Sequence, residues 1–498
     1  MSKIGVGIVE REAADANRVT PSDLFSVGMV CMARRGPVGV AIPVYNVNDD
    51  KKAFGDFGSS FLGGYVRRGL FNNCKEYGAK ILMVRVAKSD ATTASKTFQD
   101  GAGTPADTWT FKSGYLGLDS PGADGLNVSV EIKESLADTS KRDVLVYYQG
   151  PHDSVPVLKE TFEYLNNSNV VDVINSKSVF VKVALNASTL VAAAAARTDL
   201  ATATDGVAAL DEADYGTALA ALDGQDCPMI MIPDFQTVDS ATALQTYVEG
   251  RGDTIGIINA PHSASLGTLT TEYAALLKIK SFMVGYRGWG TVDSEFGGKI
   301  QVPLMGHAVG AAWIRKCVQR GGFPWVAPAG PDTALLDVID VDVPLYSDGD
   351  LDTCVRTIGF NPIMFVAGKS FIVRTSRTFS TMRKYYSAHV RRMTNYFKIA
   401  FRNSFMWVEQ EPNNVTTRRR ISDSLTFFAK DCYRNGAFST RGGYDNNVSI
   451  KCDEENNTQD MEDAGQMACD YVFHPVEAVE SATINIFQTR DGLVVSEK

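Results

Sequence analysis

The chain has 498 residues, of which 44% are apolar and 21% charged, with a formal net charge of −9. This length suggests about three domains, each able to bury its own core, and the mild acidity argues against direct nucleic-acid binding. The eight cysteines form no CxxC pair and none stands at zinc-finger spacing from a histidine, so free thiols in a reducing compartment are expected. No run approaches the roughly 18 apolar residues of a membrane span, and Met1–Glu10 lacks the apolar core of a signal peptide. Assembly in a cytoplasm, without membrane insertion, is the expectation.

Residues 1–22 read as an arm. Ile4, Val6 and Ile8 alternate with Lys3, Gly5 and Gly7 as in an edge strand. Such a terminal strand either folds back on its own domain or pairs with another chain. Residues 24–46 read as two strands around the turn Arg34–Gly39. A helix is expected over 61–77, with Phe61, Tyr65, Leu70 and Cys74 inward and Gly78 as its C′ residue. Lys80–Val86 reads as a strand, and the polar run Lys88–Gly103 ends this α/β segment.

Residues 104–190 change character. Strands are expected at Thr108–Lys112, Asn127–Lys133, Val144–Tyr148 and Ser178–Leu185, with helix chiefly near Val155–Leu165. The low-complexity run Ala192–Ala196 leads out of this β-rich stretch. From 205 to 330 the pattern returns to α/β alternation. Helices at Ala213–Leu222, Ser240–Glu249 and Leu269–Leu277 interleave with apolar strands at Cys227–Pro233, Thr254–Asn259 and Ser281–Tyr286. That order implies a parallel sheet with right-handed crossovers. A helix at Val309–Gln319 and the aromatic loop Gly322–Trp325 follow.

Two amphipathic helices mark the C-terminal part. Tyr386, Val390, Met393, Phe397 and Phe401 form one apolar stripe, and Ile421, Leu425, Phe428 and Cys432 form a second. The breaker Glu411-Pro-Asn-Asn414 separates them. Strands are expected at Asn447–Asp453 and, with no evident partner, at Ala482–Phe487. The loop Asp453–Asp463 is acidic and has no assignable role.

This order resembles contractile tail sheath proteins. The likeness runs through Arg34-Arg-Gly-Pro-Val38, Ala53-Phe-Gly-Asp-Phe57, Tyr65–Phe71, Lys80–Val86, Glu160–Glu163 with Val171–Ser176, Gln301–Gly310, Trp325-Val-Ala-Pro-Ala-Gly330 and Arg391-Arg-Met-Thr-Asn-Tyr396. The resemblance implies a multidomain α/β protein with a subtilisin-like α/β core, an inserted β-rich domain, an α+β C-terminal domain and extended arms. Its division would be an N-terminal arm (1–22), the first part of the core (23–95), the insertion (96–200), a non-catalytic subtilisin-like domain (201–345), the C-terminal sheath domain (346–480) and a C-terminal strand or arm (481–498). It also implies a structural subunit that stacks as hexameric rings around an inner tube. The arms would donate strands to neighbours through Ile4, Val6, Ile8, Ile484, Ile486 and Val494. Implied partners are copies of the chain itself, the inner tail tube protein, the baseplate and a tail terminator. The implied location is a virion tail. The sheath of a phage-like bacteriocin or an extracellular contractile injection system is the alternative.

A hydrolase on a subtilisin-like core would need a serine, a histidine and a carboxylate in one place. His152, His262, His307, His389 and His474 are the available bases, and no Gly-x-Ser-x-Gly elbow is present. Asp253, His262 and Ser294 can be combined on paper, with nothing in their context to support it. No catalytic, metal or cofactor site is therefore assigned. The basic positions carry more information. Arg391, Arg392 and Lys398 lie on the first C-terminal helix, and Arg418, Arg419 and Arg420 open the second. Either they form a solvated face or they contact an acidic tube or a neighbouring subunit. Three arginines at a helix N-terminus oppose its dipole, which suggests a partner carboxylate.

Overall fold

The computed structural model describes residues 19, 23–58, 61–74 and 77–480. The expected arm residues Ile4, Val6, Ile8, Ile484, Ile486 and Val494, and the strand expected at Ala482–Phe487, lie outside the described residues. The fold is mixed α/β with several sheets.

β1 (Ser26–Met32) is an apolar run buried along almost its whole length, as suits a strand covered on both faces. β2 (Ala41–Val44), α1 (Val47–Phe54), α2 (Leu62–Cys74) and β3 (Lys80–Val86) follow. β1 and β3 pair in parallel from Ser26↔Lys80 to Met32↔Val86, while β2 runs antiparallel to β3. The strands flanking Arg34–Gly39 are therefore not a hairpin, and α2 serves as a crossover helix. Tyr65, Leu70 and Cys74 point inward; α2 ends at Cys74, earlier than the expected 77, so Gly78, although left-handed at φ +67, is not its C′ residue.

Next come β4 (Ser95–Gln99), β5 (Asp107–Tyr115), β6 (Leu118–Asp119), β7 (Val128–Glu134), β8 (Arg142–Tyr148), β9 (Val157–Leu165), α3 (Val170–Lys177), β10 (Val181–Leu185) and β11 (Ala195–Asp199). They form two antiparallel sheets, β10-β5-β4 with β6 on β5, and β11-β7-β8-β9. A core of its own, including Trp109, Phe111, Val130, Ile132, Val144 and Val146, fills this region. Bridges Thr92↔Thr204 and Ser95↔Ala201 bring its two ends together.

The helix expected near Val155–Leu165 is instead the strand β9. Leu158, Phe162 and Leu165 are spaced four and three apart, which imitates a helical stripe. Bulges create that spacing. The β8–β9 register shifts between Val146 and Tyr147 and again between Arg142 and Val144, and Tyr164 takes φ +59. Each shift adds a residue to one strand and breaks the period of two. The helix is α3, which starts at Val170.

α4 (Glu212–Leu219), β12 (Met229–Met231), α5 (Val238–Arg251), β13 (Ile255–Asn259), α6 (Leu266–Glu272) and β14 (Met283–Arg287) restore the α/β alternation. β15 (Trp289–Asp293), β16 (Lys299–Pro303) and β17 (Asp340–Val341) make a small antiparallel sheet. α7 (Met305–Ala308) continues through a π-helical stretch, Val309–Arg315, into α8 (Lys316–Gln319). This helix lies very close to α2. A Cβ on Gly306 would stand 2.2 Å from the Val66 carbonyl oxygen, and one on Gly310 would stand 2.5 Å from that of Leu70. α9 (Asp348–Asp352), β18 (Phe360–Val366) and β19 (Ser370–Val373) come next. β18 pairs in parallel with β14, and β19 closes the edge antiparallel to it. The sequence reading grouped β18 and β19 with the C-terminal segment. They join the large sheet because Phe360, Ile363, Ile372 and Val373 need cover on that side. The sheet order is β19-β18-β14-β13-β12-β1-β3-β2.

α10 (Ala388–Ser404), α11 (Val415–Arg434), β20 (Val448–Lys451), α12 (Gln459–Asp463) and β21 (Asp470–Phe473) complete the described chain. β21 was not anticipated. It pairs antiparallel with β20, from Val448↔Phe473 to Lys451↔Asp470. Its residues Asp470-Tyr-Val-Phe473 do not alternate apolar with polar, so no strand period registers in the sequence.

Candidate functional site

The α10–α11 pair and the β20–β21 hairpin share one aromatic core. Met393, Phe397, Ala429, Cys432 and Phe438 are buried in it. The Phe397 ring is its hub, meeting Phe428 and Phe473 at 5.4 Å and Tyr471 at 5.8 Å, each near edge-on. That is the favourable aromatic geometry. The two stripes expected from periodicity are the faces that meet here. Asn414 caps α11 by accepting from the Thr417 N–H at 2.9 Å.

Of the six cations proposed as contacts, three are occupied inside the chain. Arg392 is buried and donates to the Trp313 carbonyl at 3.0 Å and to Cys317 Sγ at 2.6 Å, clamping α10 onto the π-helical stretch. Arg418 is buried and paired with Glu462 from the acidic loop. The carboxylate expected to relieve the arginine-rich helix start thus comes from within the chain. Arg391 is buried, with its guanidinium over Phe282 at 4.4 Å and Tyr385 at 5.5 Å. Lys398, Arg419 and Arg420 are the exposed members. Lys398 donates to the Gly252 carbonyl, Arg419 reaches Asp423 at 3.9 Å, and Arg420 lies over Trp407 at 4.3 Å.

Further contacts fix α10 to the large sheet. Asn395 donates to the Thr254 carbonyl at 3.0 Å, and Arg402 to Asp253 at 2.8 Å. Burial pushes the Asp253 carboxyl up, but hydrogen bonds from Arg402 and Arg251 outweigh it and leave the group below its usual range. The last described residues are tied to the start of the same helix. Arg377 donates to Glu480 at 2.7 Å, Ser387 to Glu477 at 2.5 Å, and His389 Nε2 to the Val476 carbonyl at 3.1 Å.

The paper triad is not brought together. Asp253 is held by two arginines, His262 packs edge-on against Trp289 at 5.3 Å, and Ser294 bonds the Tyr65 hydroxyl at 3.2 Å. His152 stacks on Phe296, and His474 Nδ1 faces the Asn447 side-chain oxygen. His307 is buried against Gly69, with Nδ1 unpartnered. Among the described residues no group of three or more His, Cys, Asp or Glu is placed to hold a metal ion, and no helix is long and apolar enough to cross a membrane.

Sequence reasoning missed the surroundings of Arg391. Lys280 and Phe282 come from the segment leading into β14, and Tyr471–Phe473 from the unanticipated β21. No local signal joins segments this far apart in the chain. The Arg418–Glu462 pair did have a signal, since an acidic loop and an arginine run stood in one domain.

Residues 380–489 match the family model described as the phage tail sheath C-terminal domain. No curated protein matches the chain. Among solved structures, the sheath tail protein of Listeria innocua is 14% identical, with a TM-score of 0.61 over 93% of this chain and 98% of that one. The sheath tail protein of Desulfitobacterium hafniense is also 14% identical, with a TM-score of 0.56 over 90% and 93%. The sheath of an extracellular contractile injection system, PVC, in its contracted state is 14% identical, with a TM-score of 0.58 over 99% of both chains. The chain therefore shares its fold with these proteins over at least 90% of its length.

Proposed function

On the premise that residues 380–489 belong to the phage tail sheath C-terminal domain family, we propose that this chain is the structural subunit of a contractile sheath. Its subunits polymerise as stacked, hexameric rings around an inner tube. The array then contracts from a metastable extended state and drives the tube through a target envelope. The observation that carries this reading is the family match over 380–489, set within a fold shared with sheath proteins across at least 90% of the chain.

In this reading residues 23–95 and 201–345 make a subtilisin-like, non-catalytic core. Residues 96–200 are an inserted module, and 346–480 are the C-terminal sheath domain, whose β18 and β19 extend the sheet of the core. The arms, through Ile4, Val6, Ile8, Ile484, Ile486 and Val494, add strands to neighbouring subunits. A donated strand satisfies open backbone groups on a sheet edge and keeps subunits linked as their bodies rotate. Head-to-tail contacts of this kind propagate instead of closing as dimers. The partners are other copies of the chain, the tube, the baseplate and a terminator. Lys398, Arg419 and Arg420 meet an acidic tube or a neighbour, through exposed ion pairs that are individually weak and so breakable. The assembly is a phage tail, built in the host cytoplasm. Coverage of 99% of the PVC sheath chain makes an extracellular injection system the second reading. Contraction is downhill, and the extended lattice is held kinetically.

Negative-stain electron microscopy of the full chain expressed alone tests the reading. Wide-bore tubes or stacked rings are expected, in the contracted form that is the free-energy minimum without a tube. A chain that stays monomeric even with its tube protein present would refute it.

A further inference from the structure

A cavity of about 360 Å³ opens where α10 meets the large sheet and the outer side of β21. Lys280, Lys384, Arg391 and Lys398 line it, beside Tyr385 and Val472. Three of these cations crowd one ring. Arg391 Cζ, Lys398 Nζ and Lys280 Nζ lie 4.4, 5.3 and 5.5 Å from the Phe282 centroid, and Lys384 Nζ lies 5.6 Å from that of Tyr385. None of the four forms an ion pair among the described residues. Arg391 is 4% exposed, and its Nε has no hydrogen-bond partner.

Ring faces recover part of the cost of burying a guanidinium, but a buried charge is ordinarily matched by a counter-charge. Here the neighbouring charges have the same sign. Partial desolvation of Lys398, together with the charges of Lys280 and Arg391, pulls it below the usual lysine range, and burial lowers Arg391 to about 10. An arrangement that disfavours its own charges in the free chain is poised to accept an anion. The cavity is bordered by Val472, which is 61% exposed. That apolar rim suits a peptide carboxylate better than a free inorganic ion.

The same chain carries the complement. The loop 453–463 holds six carboxylates and no cation. Glu462 is taken by Arg418 and Glu455 by Lys451, while Glu454 and Asp460 are exposed and have no side-chain partner among the described residues. Within its own chain the loop is held on α11 by the Arg418 pair, and the segment just after it is held to the approach to α11 by Asn413 donating to the Gln466 carbonyl at 2.9 Å. We infer that the cavity is a carboxylate receptor that takes the acidic loop 453–463 of a second copy of this chain. The contact joins two different surfaces, so it is heterologous and propagates. It rests on the polymeric reading above and adds to it a specific pair of surfaces.

Charge reversal in the full-length protein tests this, read by sedimentation velocity. Lys384→Glu with Lys398→Glu, or Glu454→Lys with Asp460→Lys, is expected to weaken self-association by about tenfold or more. The four changes together are expected to restore it. A Lys159→Glu control, exposed and elsewhere, is expected to change nothing. A labelled peptide of residues 452–466 is expected to bind the full-length chain saturably, to weaken with salt, and to lose that binding when Lys384 and Lys398 are reversed. Polymers indifferent to both reversals, or reversals that fail to rescue each other, overturn the inference and leave the sheath reading intact. A monomeric chain that still binds the peptide through Lys384 and Lys398 supports the receptor and refutes the polymer. Competition by millimolar inorganic phosphate as strong as that by the peptide overturns the peptide assignment.

Discussion

His307 shows how a single residue sets conditions on the fold. Its ring presses on α2 where a Cβ on Gly69 would meet it at 2.1 Å, so the imidazole fills space that water cannot share. Burial, with the nearby Arg68 charge adding to it, drives its pKa down to about 3. An unfolded histidine titrates near ~6.5, so between these values the unfolded chain binds a proton that the folded chain refuses. Its contribution is complete above pH ~6.5 and is lost progressively as pH falls toward 3. In urea melts, His307→Phe is therefore expected to flatten the fall in stability between pH 6 and 4. An unchanged slope would place the acid sensitivity in other groups. The sequence offered His307 only as one of five histidines. Its burial follows from α2 lying against it, a contact no local pattern encodes.

At the scale of elements, the Arg418–Glu462 pair decides how the second helix begins. The arginine side chain is 6% exposed and the glutamate 26%. Glu462→Gln leaves a buried guanidinium without its counter-charge. Such losses reach ~3–5 kcal/mol for fully buried pairs, and the partial exposure of Glu462 lowers the expectation to about 2 kcal/mol, measured as a shift in urea midpoint at constant m. Arg419→Glu with Arg420→Glu is expected to leave stability within ~0.5 kcal/mol. On the second helix, Arg419 and Arg420 can therefore test a partner contact without disturbing the fold, whereas Arg418 cannot. A large destabilisation from that pair would show both to be structural. Elements with a long, clean period were legible: α10 and α11 from their stripes, β12, β13 and β14 from their apolar runs. β9 was misread because its bulges imitate a helical period, and β21 was missed because Tyr471, Val472 and Phe473 are apolar in succession and show no alternation.

At the scale of the molecule, alternation of apolar strands with helices predicted a parallel sheet, and the large sheet carries β1, β3, β12, β13, β14 and β18 in parallel. The membership of β18 and β19 was not legible, because it depends on which edge still needs cover once the other strands are placed. The carboxylate receptor was illegible for a similar reason, since its cations come from the segment leading into β14, the approach to α10 and α10 itself. If the arms knit subunits together, deletion of residues 2–10 is expected to disperse the polymer while leaving the melting temperature of the subunit within a few degrees. Polymers that persist after the deletion would assign cohesion to the domain surfaces instead.

The ties between residues 476–480 and the start of α10 also have a mechanical meaning. Arg377–Glu480, Ser387–Glu477 and His389–Val476 are successive fastenings on one short stretch of chain. Tension arriving from beyond residue 480 meets Glu480 first and is then shared along the stretch. From His389 the load passes down α10 to Arg392, which grips the backbone at Trp313. A pull on that stretch is thus delivered to α10 and the π-helical stretch it grips, while the small β20–β21 hairpin beside it is spared.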